Sequence, residues 1–260
     1  MSFRPRLSIV IPTYRGAHRL RRLFQSFVES EMPRDDVEIL VGDDGSPQED
    51  AIAIRQECTD LYNRYHVSIR HLRAASNAGP VAMLRKLVDE TATYDTVLQL
   101  DDDVRIPSET GTFDFWHTLN HLMSLPNIGC VSWRSQGHGA GQSQKPKPAL
   151  LELATEIAGY CYAYPKRVYN LVGGIDTRFR VYCSDSDFAL RAMLAGHPCY
   201  RVWWPLVPHD EHMSSKENPN IAKVEKASQS ADTALFFEKW GATGKEMEAR
   251  AIEHLRREEG

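Results

Sequence analysis

Residues 96–103 read Thr-Val-Leu-Gln-Leu-Asp-Asp-Asp, a short strand-like run that stops on three carboxylates. Its length and its Val/Leu content predict a buried strand, and the acidic triplet marks where the chain emerges from a sheet. Upstream, the same kind of unit recurs. Leu7–Ile11 (LSIVI) ends at Pro12, and Leu20, Leu23, Phe24, Phe27 and Val28 then recur at helical spacing, predicting a helix from Ala17 to Ser30. Val37–Val41 (VEILV) is closed by Gly42-Asp43-Asp44-Gly45-Ser46 and followed by a helix from Ile52 to Tyr65. Val67–Leu72 is a third strand, and Asn77-Ala78-Gly79-Pro80 opens a helix that runs to about Glu90, with proline near its first turn. The alternation β-α-β-α-β-α-β predicts an α/β domain built on a mostly parallel, Rossmann-like sheet. Its crossovers should be right-handed, with helices on both faces and the functional loops at the carboxyl ends of the strands.

Beyond Asp103 the pattern changes. Phe113–Met123 reads as a helix, Ile128–Trp133 as a strand, and Ser135–Pro148 (SQGHGAGQSQKPKP) as a mobile loop able to close over bound ligands. Ile157–Tyr164 is expected as a strand, Asp187–Ala195 as a short helix and Cys199–Trp204 as a strand. From Lys216 apolar residues thin out, leaving a tail that ends in a charged helix from Lys245 to Glu258. No internal repeat is evident.

Composition bounds the function. The 260 residues suit one large domain with a short appendage, and 42% hydrophobic with 25% charged residues is that of a soluble globular chain. A formal net charge of −4 offers no global attraction to nucleic acid or to an anionic membrane. Five cysteines (Cys58, Cys130, Cys161, Cys183, Cys199) without a CxxC pair predict neither a disulfide framework nor a zinc ribbon, and fit a reducing cytosol. The basic Ser2–Arg6 stretch is followed only by the five residues Leu7–Ile11, too short for a secretory leader. Without a run of about 20 apolar residues, membrane contact is expected to be peripheral at most.

Four places could carry chemistry. Two carboxylates about 5 Å apart repel by roughly 3 kcal/mol at an effective dielectric of 20, so Asp101-Asp102-Asp103 calls for a cation. Asp101 and Asp103 fall on one side of an extended chain, as hard oxygen ligands for Mg²⁺ or Mn²⁺ would; a solvated acidic turn is the alternative. At the ends of the first two strands, Tyr14 can offer a flat face to a base while Asp44 accepts from a ring N–H or a ribose hydroxyl. Asp185, in Tyr-Cys-Ser-Asp-Ser-Asp-Phe (182–188), can be a helix N-cap or a general base, with Asp187 the next candidate. His209 and His212, in Pro-His-Asp-Glu-His, lack partner cysteines, so one histidine completing a carboxylate site is favoured over a zinc site.

In order and spacing, SIVIPTYR, VGDDGS, NAGP, LDDDV, AGYCYAYP, VGGID, SDSDFALR, PHDEH and FFEKWG resemble the family-two glycosyltransferases of the GT-A fold, over roughly residues 7 to 241. The resemblance implies a nucleotide-binding set of Pro12, Tyr14, Arg15, Asp44, Asn77, Arg85, Asp101 and Asp102, with uridine as the base. It implies a metal held by Asp101 and Asp103, joined in some members by His209, and Asp185 as catalytic base. Arg15 stands where many members carry Asn, Ser184 where Glu precedes the base, and Arg85 one place from the usual arginine. No QxxRW pattern follows Trp203-Trp204, which argues against a processive polymer synthase.

The resulting expectation is an inverting transferase that uses Mn²⁺ or Mg²⁺ to move one sugar from a UDP-sugar to a hydroxyl on a glycan, lipid-linked or other acceptor. Residues 1–103 would form the nucleotide-binding half and 104–212 the acceptor-binding half of a GT-A domain, with 213–260 a helical extension. A DxD phosphohydrolase, with Asp101 as nucleophile, and a non-catalytic nucleotide-sugar binder are the rivals.

Overall fold

The computed structural model describes residues 6–108, 114–135, 150–210, 216 and 219–258. The expected alternation forms as β1 (Leu7–Thr13), α1 (Ala17–Glu29), β2 (Val37–Asp43), α2 (Gln48–Tyr65), β3 (Ser68–Arg73), α3 (Pro80–Glu90) and β4 (Thr96–Leu100). It continues through α4 (Phe115–Met123), β5 (Cys130–Ser135), β6 (Leu151–Leu153), β7 (Cys161–Pro165), α5 (Lys166–Leu171), α6 (Ser184–Leu194) and β8 (Cys199–Val207). Two helices, α7 (Pro219–Trp240) and α8 (Gly244–Glu258), end the described chain. Among the described residues the eight strands join one sheet in the order β3-β2-β1-β4-β7-β5-β8-β6.

Continuous apolar runs become the sheet's centre. Every residue of β1, β2 and β4 is buried, whereas the edge strand β3 has none fully buried. The two-residue period then divides the core. Ile9 and Ile11 face a layer with Leu20, Phe27 and Ile54 from α1 and α2, while Val10 faces Val81, Leu84 and Phe188 on the other side. Parallel registers Pro12↔Gly42 and Thr13↔Asp43 bring the carboxyl ends of β1 and β2 side by side, and β4 flanks β1 from Leu7↔Thr96 onward.

The second half is mixed rather than parallel: β7 runs antiparallel to both β4 and β5, and β6 antiparallel to β8. The strand expected over Ile157–Tyr164 starts only at Cys161, because residues 155–160 turn, with the Ile157 N–H donating to the Thr155 carbonyl at 2.9 Å. Helix α7 was not delimited by the sequence, which marked only a helical tail there. Its buried positions Ser228, Asp232 and Phe236 form a narrow, mostly polar stripe that leaves no strong amphipathic signature. By contrast α8 matches its expected span within a residue and buries Ala251 and Leu255 in the same core as Leu190 and Met193. All five cysteines are free thiols. Among the described residues no helix is long and apolar enough to cross a membrane. Apart from Ser135, the expected 135–148 loop lies outside the described residues, as does His212.

Candidate active site

The carboxyl ends of β1, β2 and β4 open into a cleft of about 600 Å³. Asp101, Asp102 and Asp103 follow β4 at its floor, and they divide as strand alternation requires. Asp102 points into the protein: its side chain is 9% exposed, that of Arg19 is 2% exposed, and Arg19 Nε donates to Asp102 Oδ1 at 2.8 Å. The Thr13 hydroxyl donates to Asp102 Oδ2 at 2.5 Å. Although Asp102 borders the cleft, its charge is already matched from within.

Asp101 and Asp103 face the other way. A short antiparallel pairing, Val104 with His209, brings the chain after β8 alongside them; the Asp210 N–H donates to the Asp103 carbonyl at 3.1 Å. His209 Nε2 then lies 3.2 Å from Asp103 Oδ1. Tyr160 stacks on the imidazole at 4.4 Å between ring centroids, and the Tyr160 hydroxyl is anchored on the Trp133 carbonyl. One ligand atom from each of Asp101, Asp103 and His209 falls within 4.8 Å of the others. Burial, reinforced by Asp103 beside it, pushes the Asp101 carboxyl up to about 8. Burial and like charge thus disfavour the ionised pair unless a cation joins it, and two carboxylates with one imidazole form a donor set that fits Mn²⁺ or Mg²⁺.

The opposite wall is built from the ends of β1 and β2. Tyr14 is half-buried and borders the cleft with Pro12 and Arg15; Arg15 pairs with Asp50 at 2.8 Å. Asp44, 3% exposed, accepts from the backbone N–H groups of Ala78 and Gly79 at 2.9 and 2.8 Å, and so fixes the Asn77–Pro80 loop. Burial raises its pKa. Gly79 has φ +99°, and a Cβ there would come within 2.8 Å of the Arg180 carbonyl, so this close approach needs glycine.

Asp185 enters from the third side. The N-cap of α6 is Cys183, left-handed at φ 64° and without a side-chain capping bond, which removes the N-cap reading of Asp185. Asp185 sits inside the first turn, its carboxylate accepting from the Ser186 N–H at 2.8 Å. Burial pushes it up to about 6 against the opposing N–H groups of Ser186 and Gly159. Such a carboxyl is mostly ionised at neutral pH yet basic enough to take a proton. Asp187 is no substitute. It is wholly buried and tied to Arg191 at 2.8 Å, to Lys239 at 2.6 Å and to the Trp240 indole at 3.0 Å.

Of the residues singled out from sequence, Pro12, Tyr14, Arg15, Asp44, Asn77, Asp101, Asp102, Asp103, Asp185 and His209 all border this one cleft. Arg85 does not. Its Nη1 donates to the carbonyls of Gly173 and Ile175 at 2.8 and 2.9 Å, and it pairs with Asp89. One residue along a helix is a rotation of about 100°, so Leu84 meets the cleft in its place. Sequence reasoning missed Tyr160, Arg180 and the α7 residues Asn220 and Glu225, which also border it. Only the nearness of Arg180 to Asp185 along the chain could have flagged it.

Residues 8–112 match the family model described as Glycosyl transferase family 2. No curated protein matches the sequence. Among solved structures, the mannosyltransferase PcManGT from Pyrobaculum calidifontis, in complex with GDP-Man and Mn²⁺, superposes with a TM-score of 0.66 at 18% identity, over 83% of this chain and 60% of that one. S. aureus TarS 1–349 with UDP-GlcNAc gives 0.60 at 18% identity, over 81% and 61%. GalNAc-T7 with UDP, GalNAc and Mn²⁺ gives 0.66 at 13% identity, over 80% and 44%. The chain thus spans less than two thirds of each of these structures. What they share with it is the GT-A fold.

Proposed function

From a GT-A fold whose residues 8–112 match Glycosyl transferase family 2, we propose that the chain is an inverting, metal-dependent glycosyltransferase that moves one sugar from a UDP-sugar to a hydroxyl acceptor. One observation carries the proposal: the ligand atoms of Asp101, Asp103 and His209 gather within 4.8 Å in the same cleft as Asp185, a carboxyl poised at about 6. The neighbours' ligands support the donor class, since two are complexes with UDP or a UDP-sugar and two contain Mn²⁺.

Asp101, Asp103 and His209 would hold the ion. When bound, it supplies positive charge against the negative charge that grows on the departing diphosphate. Tyr14 stacks on the base, and the loop fixed by Asp44 closes that wall. Asp185 accepts the acceptor's hydroxyl proton as the oxygen attacks the anomeric carbon opposite the leaving group. The new C–O bond forms as the bond to the diphosphate breaks, which inverts the anomeric centre and requires no enzyme nucleophile. A phosphohydrolase is disfavoured because no lysine is among the described residues bordering the cleft.

The test is a thermal-shift screen of UDP- and GDP-sugars with and without Mn²⁺, followed by turnover assays on the hits. A true donor at a hundred times its Kd stabilises by about 2.7 kcal/mol. Stabilisation by a UDP-sugar that depends on metal is expected; indifference to every nucleotide sugar would reject the proposal.

A further inference from the structure

The cleft is crowded with carboxylates, yet a nucleoside diphosphate is itself anionic, so its binding needs cationic partners beyond one metal ion. Among the described residues bordering the cleft, the cations other than the histidine are Arg15 and Arg180. Arg15 is already paired with Asp50 at 2.8 Å. Arg85, which the resemblance placed in the nucleotide-binding set, is held outside the cleft by backbone carbonyls and Asp89. Arg180 differs from both. Among the described residues its guanidinium donates hydrogen bonds to neutral acceptors, the Ala78 carbonyl at 3.2 Å and Asn77 Oδ1 at 3.0 Å, while the buried Asp44 nearby feels its charge without a hydrogen bond to it. Its position is fixed from behind by Asp232 of α7. That carboxylate is 3% exposed, and it accepts the consecutive N–H groups of Arg180, Val181 and Tyr182 at 3.0, 2.9 and 2.8 Å.

We infer that Arg180 is the donor-site cation that pairs with the diphosphate of the nucleotide sugar. The inference rests on the glycosyltransferase reading and adds a residue to it. A guanidinium hydrogen-bonded to neutral acceptors at the rim of the Asn77–Pro80 loop has its fork uncommitted to a carboxylate, and that planar fork suits two phosphate oxygens. Asp232 acts through it as a positioning residue: by gripping three successive amides it fixes the chain that carries Arg180 and, three residues beyond Tyr182, Asp185. Helix α7, whose Asn220 and Glu225 also border the cleft, thereby becomes part of the donor site.

Calorimetric titration of UDP and uridine with Mn²⁺ present, on the wild type and on Arg180→Ala, Arg180→Gln and Arg180→Lys, tests this. Losing a charge-assisted contact should weaken UDP binding about 10- to 100-fold in the Ala and Gln variants. Uridine affinity should stay within about twofold, and Lys should recover part of the UDP affinity. Arg180→Gln keeps a donor for Asn77, so a loss shared by Ala and Gln but not Lys follows charge, not folding. Equal losses for uridine and UDP, or unchanged UDP binding, would overturn the assignment and reduce Arg180 to a tie across the cleft. A wild type that binds neither UDP nor GDP would overturn the nucleotide reading itself.

Discussion

Asp102 and Asp103 are adjacent and identical in type, yet alanine at each should give opposite results. Asp102→Ala removes the carboxylate that both Nε and Nη2 of Arg19 reach, in a guanidinium whose side chain is only 2% exposed. Removing one partner of such a buried pair costs about 3–5 kcal/mol. At about 2–4 °C per kcal/mol for a domain of this size, the melting temperature should fall by roughly 6–20 °C. Asp103→Ala removes the neighbouring carboxylate whose repulsion adds to burial in raising Asp101, so the fold should melt at or above the wild-type temperature. What it loses is function: UDP should no longer stabilise this variant in a metal-dependent way. Scanning fluorimetry on both variants, with and without UDP and Mn²⁺, separates the two roles. Equal destabilisation of the pair, or a neutral Asp102→Ala, would refute the assignment of one carboxylate to the interior and the other to the cleft.

Tyr14→Ala should weaken UDP binding by about 1–3 kcal/mol, the range for a base stacked on an aromatic ring; equal affinity by calorimetry would leave Tyr14 a wall residue only. The pH profile of kcat/KM should fall on the acid side of about 6, because Asp185 must be ionised to take a proton and burial has moved it up to that value. The sign for stability is the reverse. A carboxyl with a raised folded pKa favours the fold most below its unfolded pKa, and that contribution is lost as pH rises through about 6. An acid limb near 4 in the profile, where an unperturbed carboxyl titrates, would contradict the placement of Asp185.

The first hundred residues were legible because β1, β2 and β4 are buried on both faces and the crossover helices between the strands bury apolar residues, so period and length identify them. The acidic triplet was legible only in part: alternation puts Asp101 and Asp103 on one side, but Asp102, expected in the nucleotide-binding set, is turned inward to Arg19. What the letters could not supply was direction. One helical position decides that Leu84 and not Arg85 meets the cleft. The N-cap ambiguity of Asp185 needed the left-handed backbone of Cys183 to resolve it. Helix α7 was obscure because it attaches through polar contacts, Asp232 on three amides and Lys239 on Asp187, which leave no hydrophobic period to read. Its part in the cleft depends on contacts between residues some fifty positions apart, as between Asp232 and Arg180.

The most direct test of glycosyl transfer with Asp185 as base is to measure kcat, donor affinity and melting temperature on one preparation of Asp185→Asn. Asparagine keeps the size and can still accept from the Ser186 N–H. The expected result is a kcat lowered about 10²- to 10⁴-fold, donor affinity nearly unchanged, and a melting temperature at neutral pH no lower than wild type, since a carboxylate ionised against burial has been removed. Asp187 cannot take over, being locked between Arg191 and Lys239. Near-normal kcat in Asp185→Asn, with donor still bound, would contradict the proposed chemistry.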